Sequence, residues 1–111
     1  NLIENYTKLL MEYKKVLTQN NLYNQYKNAY NYFILRQVNK FYNRYFFIKD
    51  TKKSYEELKE EFNKMLETEP YKNAIYNEKV KYIATKRKMI LFLTKKKQFK
   101  LLKTFYKFKR G

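Results

Sequence analysis

The chain has 111 residues, the length of one domain, with a formal net charge of +16 and neither cysteine nor histidine. This rules out disulfides, thiolate metal sites and the usual imidazole base, and with Gly111 as the only glycine there is no phosphate-cradling glycine loop. No paired constellation of Lys, Tyr, Asp, Glu, Ser or Thr takes their place, so the sequence predicts no enzyme and no cofactor. The longest apolar run, Met89 to Leu93, falls far short of the roughly 20 residues of a transmembrane helix.

Residues 2–17 place Leu2, Ile3, Tyr6, Leu9, Leu10, Tyr13, Val16 and Leu17 at the three-and-four spacing of one helical face. Glu4 and Lys8 form a favourable i,i+4 pair on the other face. The polar cluster Thr18-Gln19-Asn20-Asn21 ends this helix. A second helix is predicted from about Leu22 to Phe47, with Tyr23, Tyr26, Tyr30, Phe33 or Ile34, Val38, Phe41 and Tyr45 inward. Residues 41–48 are aromatic enough to compete as a strand, but no alternation is sustained and no hairpin turn follows, so the helix is preferred. Ser54-Tyr55-Glu56-Glu57 matches a capping box, and Glu56, Glu57, Glu60 and Glu61 suit the positive end of a helix dipole. Tyr55, Leu58, Phe62, Met65 and Leu66 form the buried stripe of this third helix, which Pro70 is expected to end.

Beyond Pro70, Ile75, Tyr76, Val80, Ile83 and Ala84 predict one face of a fourth helix running on into 87–93. A last helix is predicted over 97–109, with Phe99, Leu102, Phe105 and Tyr106 as its apolar side. The fold class is therefore all-α: a three-helix unit over residues 1–70, then a basic helical extension over 71–111.

The charge is uneven. Residues 79–111 hold thirteen basic residues and no acidic one, so +13; residues 1–78 hold thirteen basic and ten acidic, so +3. Self-repulsion on that scale opposes compaction unless a polyanion neutralises it, so the extension is expected to be largely disordered without its partner. Nucleic acid is the first candidate, followed by an anionic membrane and an acidic protein. Lys86, Arg87, Lys88, Lys95, Lys96, Lys97, Lys100, Lys103, Lys107, Lys109 and Arg110 are the expected RNA contacts. Each phosphate they neutralise releases counterions, which predicts steeply salt-dependent binding. Phe99, Phe105, Tyr106 and Phe108 are expected to pack within the protein rather than stack on bases. Apolar residues fill all sides of the turn at Met89–Leu93, which speaks for burial against protein or RNA and against a membrane-surface helix.

The first three helices resemble the LYR protein family of mitochondria. The family's Leu-Tyr-Arg-x-Leu-Leu start has its counterpart in Asn5-Tyr6-Thr7-Lys8-Leu9-Leu10, where Tyr6 and the Leu9-Leu10 pair fit and Asn5 and Thr7 depart. Arg36-Gln37-Val38-Asn39-Lys40-Phe41-Tyr42-Asn43-Arg44 resembles the family's basic second helix. The loop at 48–50 and the helix at 55–66 fall where the family has them, so the resemblance covers residues 2–68. It implies an antiparallel three-helix bundle and an acidic partner, the mitochondrial acyl carrier protein, whose acyl chain enters the bundle core. Tyr6, Leu9, Leu10 and Phe41 would line that core, and Arg36, Lys40 and Arg44 would face the carrier. Family members serve in respiratory complexes, in iron–sulfur assembly and on the mitochondrial ribosome. Together with the basic extension, this predicts a mitochondrial ribosomal protein of the matrix, bound to ribosomal RNA and neighbouring ribosomal proteins. The alternative is a LYR-type accessory subunit or assembly adapter that binds the carrier.

Overall fold

In the computed structural model, which describes residues 2–76 and 85–109, every regular element is helical. In chain order these are α1 (Leu2–Gln19), α2 (Tyr23–Phe41), a π-helical turn (Tyr42–Phe46), α3 (Tyr55–Leu66), α4 (Tyr71–Tyr76), α5 (Thr85–Lys95) and α6 (Phe99–Lys109). The predicted apolar positions Val80, Ile83 and Ala84 lie outside the described residues.

α1 stops where the polar cluster predicted. Asn21 takes a left-handed φ of 59°. The Asn21 and Leu22 amides donate back to the Thr18 and Leu17 carbonyls at 3.1 and 2.8 Å, a Schellman closure in which Asn is the usual substitute for Gly. The chain then turns back as α2, and the Tyr30 phenol donates to the Leu10 carbonyl at 2.7 Å. Only part of the predicted α1 face is covered. Leu10 is buried and Ile3, Tyr6 and Leu17 are half-buried, but Leu2, Leu9, Tyr13 and Val16 are exposed. The reason is that α1 leans on α2 along one edge, so the flank of its apolar stripe has no neighbour. Tyr26, predicted inward on α2, is exposed for the same reason, and of the alternatives Phe33 and Ile34 it is Ile34 that turns inward.

The strand alternative for residues 41–48 is not what forms. α2 runs straight into the π-helical turn, and the Phe47 amide donates to the Tyr42 carbonyl five residues back at 3.1 Å. The extra residue rotates the helix face. Tyr42, Phe46 and Phe47 therefore join Phe41 inside, while Tyr45, predicted inward, is only half-buried.

Ser54 caps α3 as its sequence predicts, its Oγ accepting from the Glu57 amide at 3.1 Å. Glu57 closes the motif differently from a standard capping box: its carboxylate accepts from the Ser54 hydroxyl at 3.3 Å. All of the predicted stripe turns inward, with Tyr55 half-buried and Leu58, Phe62, Met65 and Leu66 buried. α3 ends at Leu66, four residues before Pro70. Pro70 instead precedes α4, its carbonyl accepting from the Ala74 amide at 3.3 Å.

The short helix α4 reorganises the expected architecture. Its Tyr71 is fully buried, edge-on to Phe41 at 5.8 Å, and hydrogen-bonds Thr7 at 2.8 Å. The Thr7 proton goes to the Ile3 carbonyl, so the phenol is the donor. α4 packs against α2, α3 and α5. A separate three-helix bundle over residues 1–70 is thus not the packing observed. Ile90 of α5 and Phe99, Leu102 and Tyr106 of α6 belong to the same buried cluster as Leu10, Ile34, Phe62 and Tyr71. The rings interlock across residue 70: Phe47 stacks on Tyr106 at 5.2 Å, and Phe99 lies 5.0 Å from Phe62 and 6.1 Å from Phe46. Burying such rings supplies the large apolar areas that oppose the repulsion between surface lysines. α5 and α6 are therefore packed helices on the same core as α2, α3 and α4.

Candidate nucleic-acid interface

The basic stretch is an α-helical hairpin that turns its apolar side into the core and its charge outward. In α5, Ile90 and Thr94 are buried four residues apart. The Thr94 hydroxyl donates to the Ile90 carbonyl at 2.8 Å and lies 2.7 Å from the buried Tyr42 hydroxyl, which therefore donates to it. Burial pushes the Tyr42 phenol well above its ordinary range, so it stays protonated. The apolar run splits: Ile90 is buried and Leu91 and Leu93 are half-buried within the chain, while Met89 and Phe92 are 44% and 58% exposed.

α5 closes with Lys97 in a left-handed conformation, φ 55°. The Lys97 and Gln98 amides donate to the Thr94 and Leu93 carbonyls at 2.9 and 3.0 Å, a second Schellman closure with Lys where Gly is usual. α6 then buries Phe99, Leu102 and Tyr106, leaving Phe105 half-buried. The Tyr106 phenol donates to the Asn39 side chain of α2. These aromatics are packing groups, as expected; the side chain of Phe108 lies outside the described residues.

Lys86, Arg87, Lys88, Lys95, Lys96, Lys97, Lys100, Lys103 and Lys107 are all exposed. The Lys109 side chain and Arg110 lie outside the described residues. The nine differ in what holds them. Lys97 reaches Glu67 at 3.2 Å, and that carboxylate also meets Lys72 at 3.6 Å. The bond from Lys97 holds the Glu67 carboxyl below its usual range. Arg87 donates to the Tyr32 hydroxyl at 3.5 Å. Lys96 sits 6.0 Å from the Phe92 ring and Lys103 sits 5.2 Å from the Tyr55 ring. Lys100, Lys103 and Lys107 recur at helical spacing, and with Tyr55 and Thr104 they line one open groove. The three ion pairs among the described residues involve Lys53, Lys72 and Lys97, so this stripe carries uncompensated charge.

The residues singled out by the LYR resemblance are divided. Leu10 and Phe41 are buried, and Tyr6 lies edge-on to Phe41 at 5.7 Å. Leu9 points outward, 48% exposed, because α2 covers the neighbouring flank of α1, and so does not line the core. Arg36, Lys40 and Arg44 are exposed. Arg36 shares a slot with Arg87 between α2 and α5, lined also by Val38, Ile75 and Ile90; its volume of about 50 Å³ is room for only a few waters. Among the described residues no cluster of three metal-ligating side chains occurs, and no helix is long and apolar enough to cross a membrane.

Sequence reasoning did not find Tyr55, Tyr32 and Glu67, which hold Lys103, Arg87 and Lys97. Each meets its lysine or arginine across 30 or more residues of chain, so no local spacing announces the pair.

No protein-family model, curated protein or solved structure matches this chain.

Proposed function

We propose that the chain is a structural protein of a ribonucleoprotein, a mitochondrial ribosome of the matrix, that contacts ribosomal RNA through α5 and α6. The observation that carries this reading is the charge partition: +13 over residues 79–111 against +3 over residues 1–78. Its support is the outward position of every described lysine and arginine of α5 and α6, on helices whose apolar side is committed to the core. Such a surface meets phosphates without unfolding, with the exposed side chains of Met89, Phe92 and Leu101 lying between its cations. The exposed flank of α1 and α2, with Leu9, Tyr13, Val16, Tyr26 and Phe33, is the side left for neighbouring ribosomal proteins.

The test is a titration of structured RNA with the purified chain at increasing salt. Affinity is expected to fall by roughly 10³-fold or more between 50 and 200 mM salt, as for a protein neutralising at least six phosphates. An affinity that barely moves would refute the reading.

One observation favours a second reading, the LYR-type adapter. Tyr6 meets Phe41 and Phe41 meets Tyr71 ring to ring, Leu10 belongs to the same buried cluster, and Arg36 and Lys40 of α2 and Arg44 of the π-helical turn are exposed. That reading predicts co-purification with an acyl carrier protein and not with RNA. Tyr6→Ala would abolish the association, and unchanged carrier binding in that variant would count against it.

A further inference from the structure

We infer that the groove between Tyr55 and α6 is a track for the RNA backbone, one that holds phosphates without regard to base; this rests on the RNA-binding reading above. Lys100, Lys103, Thr104 and Lys107 line one side of the groove and Tyr55 the other. Lys100 and Lys107 are seven residues apart on a helix, an axial distance of about 10 Å, so the three ammonium groups form a row of length suited to successive phosphates of one strand.

The groove holds what a phosphate needs and lacks what a base edge needs. The planar forks of Arg, Asn and Gln, which pair bidentately with a base edge, are absent from its lining, and its lysines act as point charges suited to phosphate. The Thr104 hydroxyl proton already goes to the Lys100 carbonyl at 3.0 Å, which leaves its oxygen only as an acceptor. Stacking is also blocked. The Tyr55 ring packs on the buried Phe99 at 5.4 Å, and the Lys103 ammonium lies 5.2 Å from its centroid. Tyr55 is thus a positioning residue. Its ring orders Lys103 before RNA arrives, which lowers the entropy lost on binding. The lining has no exposed aliphatic side chain to insert into lipid, which favours an RNA backbone over phosphate headgroups.

The experiment measures binding of the full chain to poly(U) and to poly(A) across a salt series, with Lys100→Ala/Lys103→Ala/Lys107→Ala beside the natural sequence and helix content checked by circular dichroism. The natural chain is expected to bind both polymers within about threefold. The triple variant is expected to lower the slope of log affinity against log salt by about two, at roughly 0.7 per single-strand phosphate. Tyr55→Leu is expected to weaken binding as much as Lys103→Ala, with no further loss when the two are combined, and Tyr55→Phe is expected to bind normally. An unchanged slope in the triple variant, with the natural chain still salt-dependent, would overturn the track and leave RNA binding through α5. A preference above about thirtyfold for one polymer would overturn base independence. Loss of binding to phosphatidylserine vesicles in the triple variant, with RNA binding intact, would reassign the groove to membranes. No salt-dependent binding by the natural chain would remove the RNA reading itself.

Discussion

Glu61 on α3 is the residue where burial and charge are most tightly balanced. Partial burial raises the carboxyl's pKa, but hydrogen bonds from Lys53 at 2.7 Å and Tyr45 at 2.6 Å overcome this, and the net shift is downward from 4.5. A depressed carboxyl stabilises the fold above its unfolded pKa, and that contribution is lost as pH falls through the lower folded value. Lys53 works the other way: the same bond to Glu61 raises its pKa above 10.5, so its share is complete below 10.5 and is lost only as pH rises beyond it. Denaturant midpoints are therefore expected to fall as the solution is acidified below about pH 4.5. Glu61→Gln should be less stable at neutral pH and should show a flatter acid limb. An acid limb identical to that of the natural chain would show that this network contributes nothing. The capping half of this helix was legible in sequence, because Ser54 and Glu57 sit three residues apart. The Tyr45–Glu61–Lys53 network was not, because no spacing rule links a π-helical turn to the middle of the next helix.

At the scale of elements, α1, α3 and α6 follow their apolar periodicity and α3 follows its cap. Two features escaped it. Around Phe41, Tyr42, Tyr45, Phe46 and Phe47 the aromatics are so dense that several registers satisfy the pattern, and only packing selects the one that a π-helical turn allows. The stripe on α1 is equally regular at Leu9 and Leu10, yet one is exposed and the other buried, since periodicity defines a face but not how much of it a neighbour covers. These differences are measurable. Leu10→Ala is expected to cost about 2–5 kcal/mol in denaturant unfolding and Leu9→Ala well under 1 kcal/mol. Phe99→Ala, inside the basic hairpin, should cost about 3–5 kcal/mol and lower a single cooperative transition. If only α5 and α6 melted while α1–α4 kept their midpoint, the shared core would not be the source of their order.

For the whole molecule, charge and ring burial oppose each other. A net charge of +16 on a single small domain stores repulsion that salt screens, with a Debye length of about 8 Å at physiological ionic strength. Thermal midpoints are expected to rise with added sodium chloride while RNA affinity falls over the same range. A midpoint independent of salt would mean that the lysines lie too far apart to repel. The all-helical class and the asymmetry of charge were readable from composition and pattern. The continuity of the core past residue 70 was not, because net charge reports the outer surface of α6 and is silent on its inner one. That inner surface also sets an order of events in synthesis. Tyr42, Phe46, Phe47 and Phe62 are made early, but the rings that close over them, Phe99 and Tyr106, come only with α6. Until α6 is made, the earlier rings lack the partners that cover them in the finished structure. Covering of these rings and synthesis of the lysine-bearing α6 are then one and the same step.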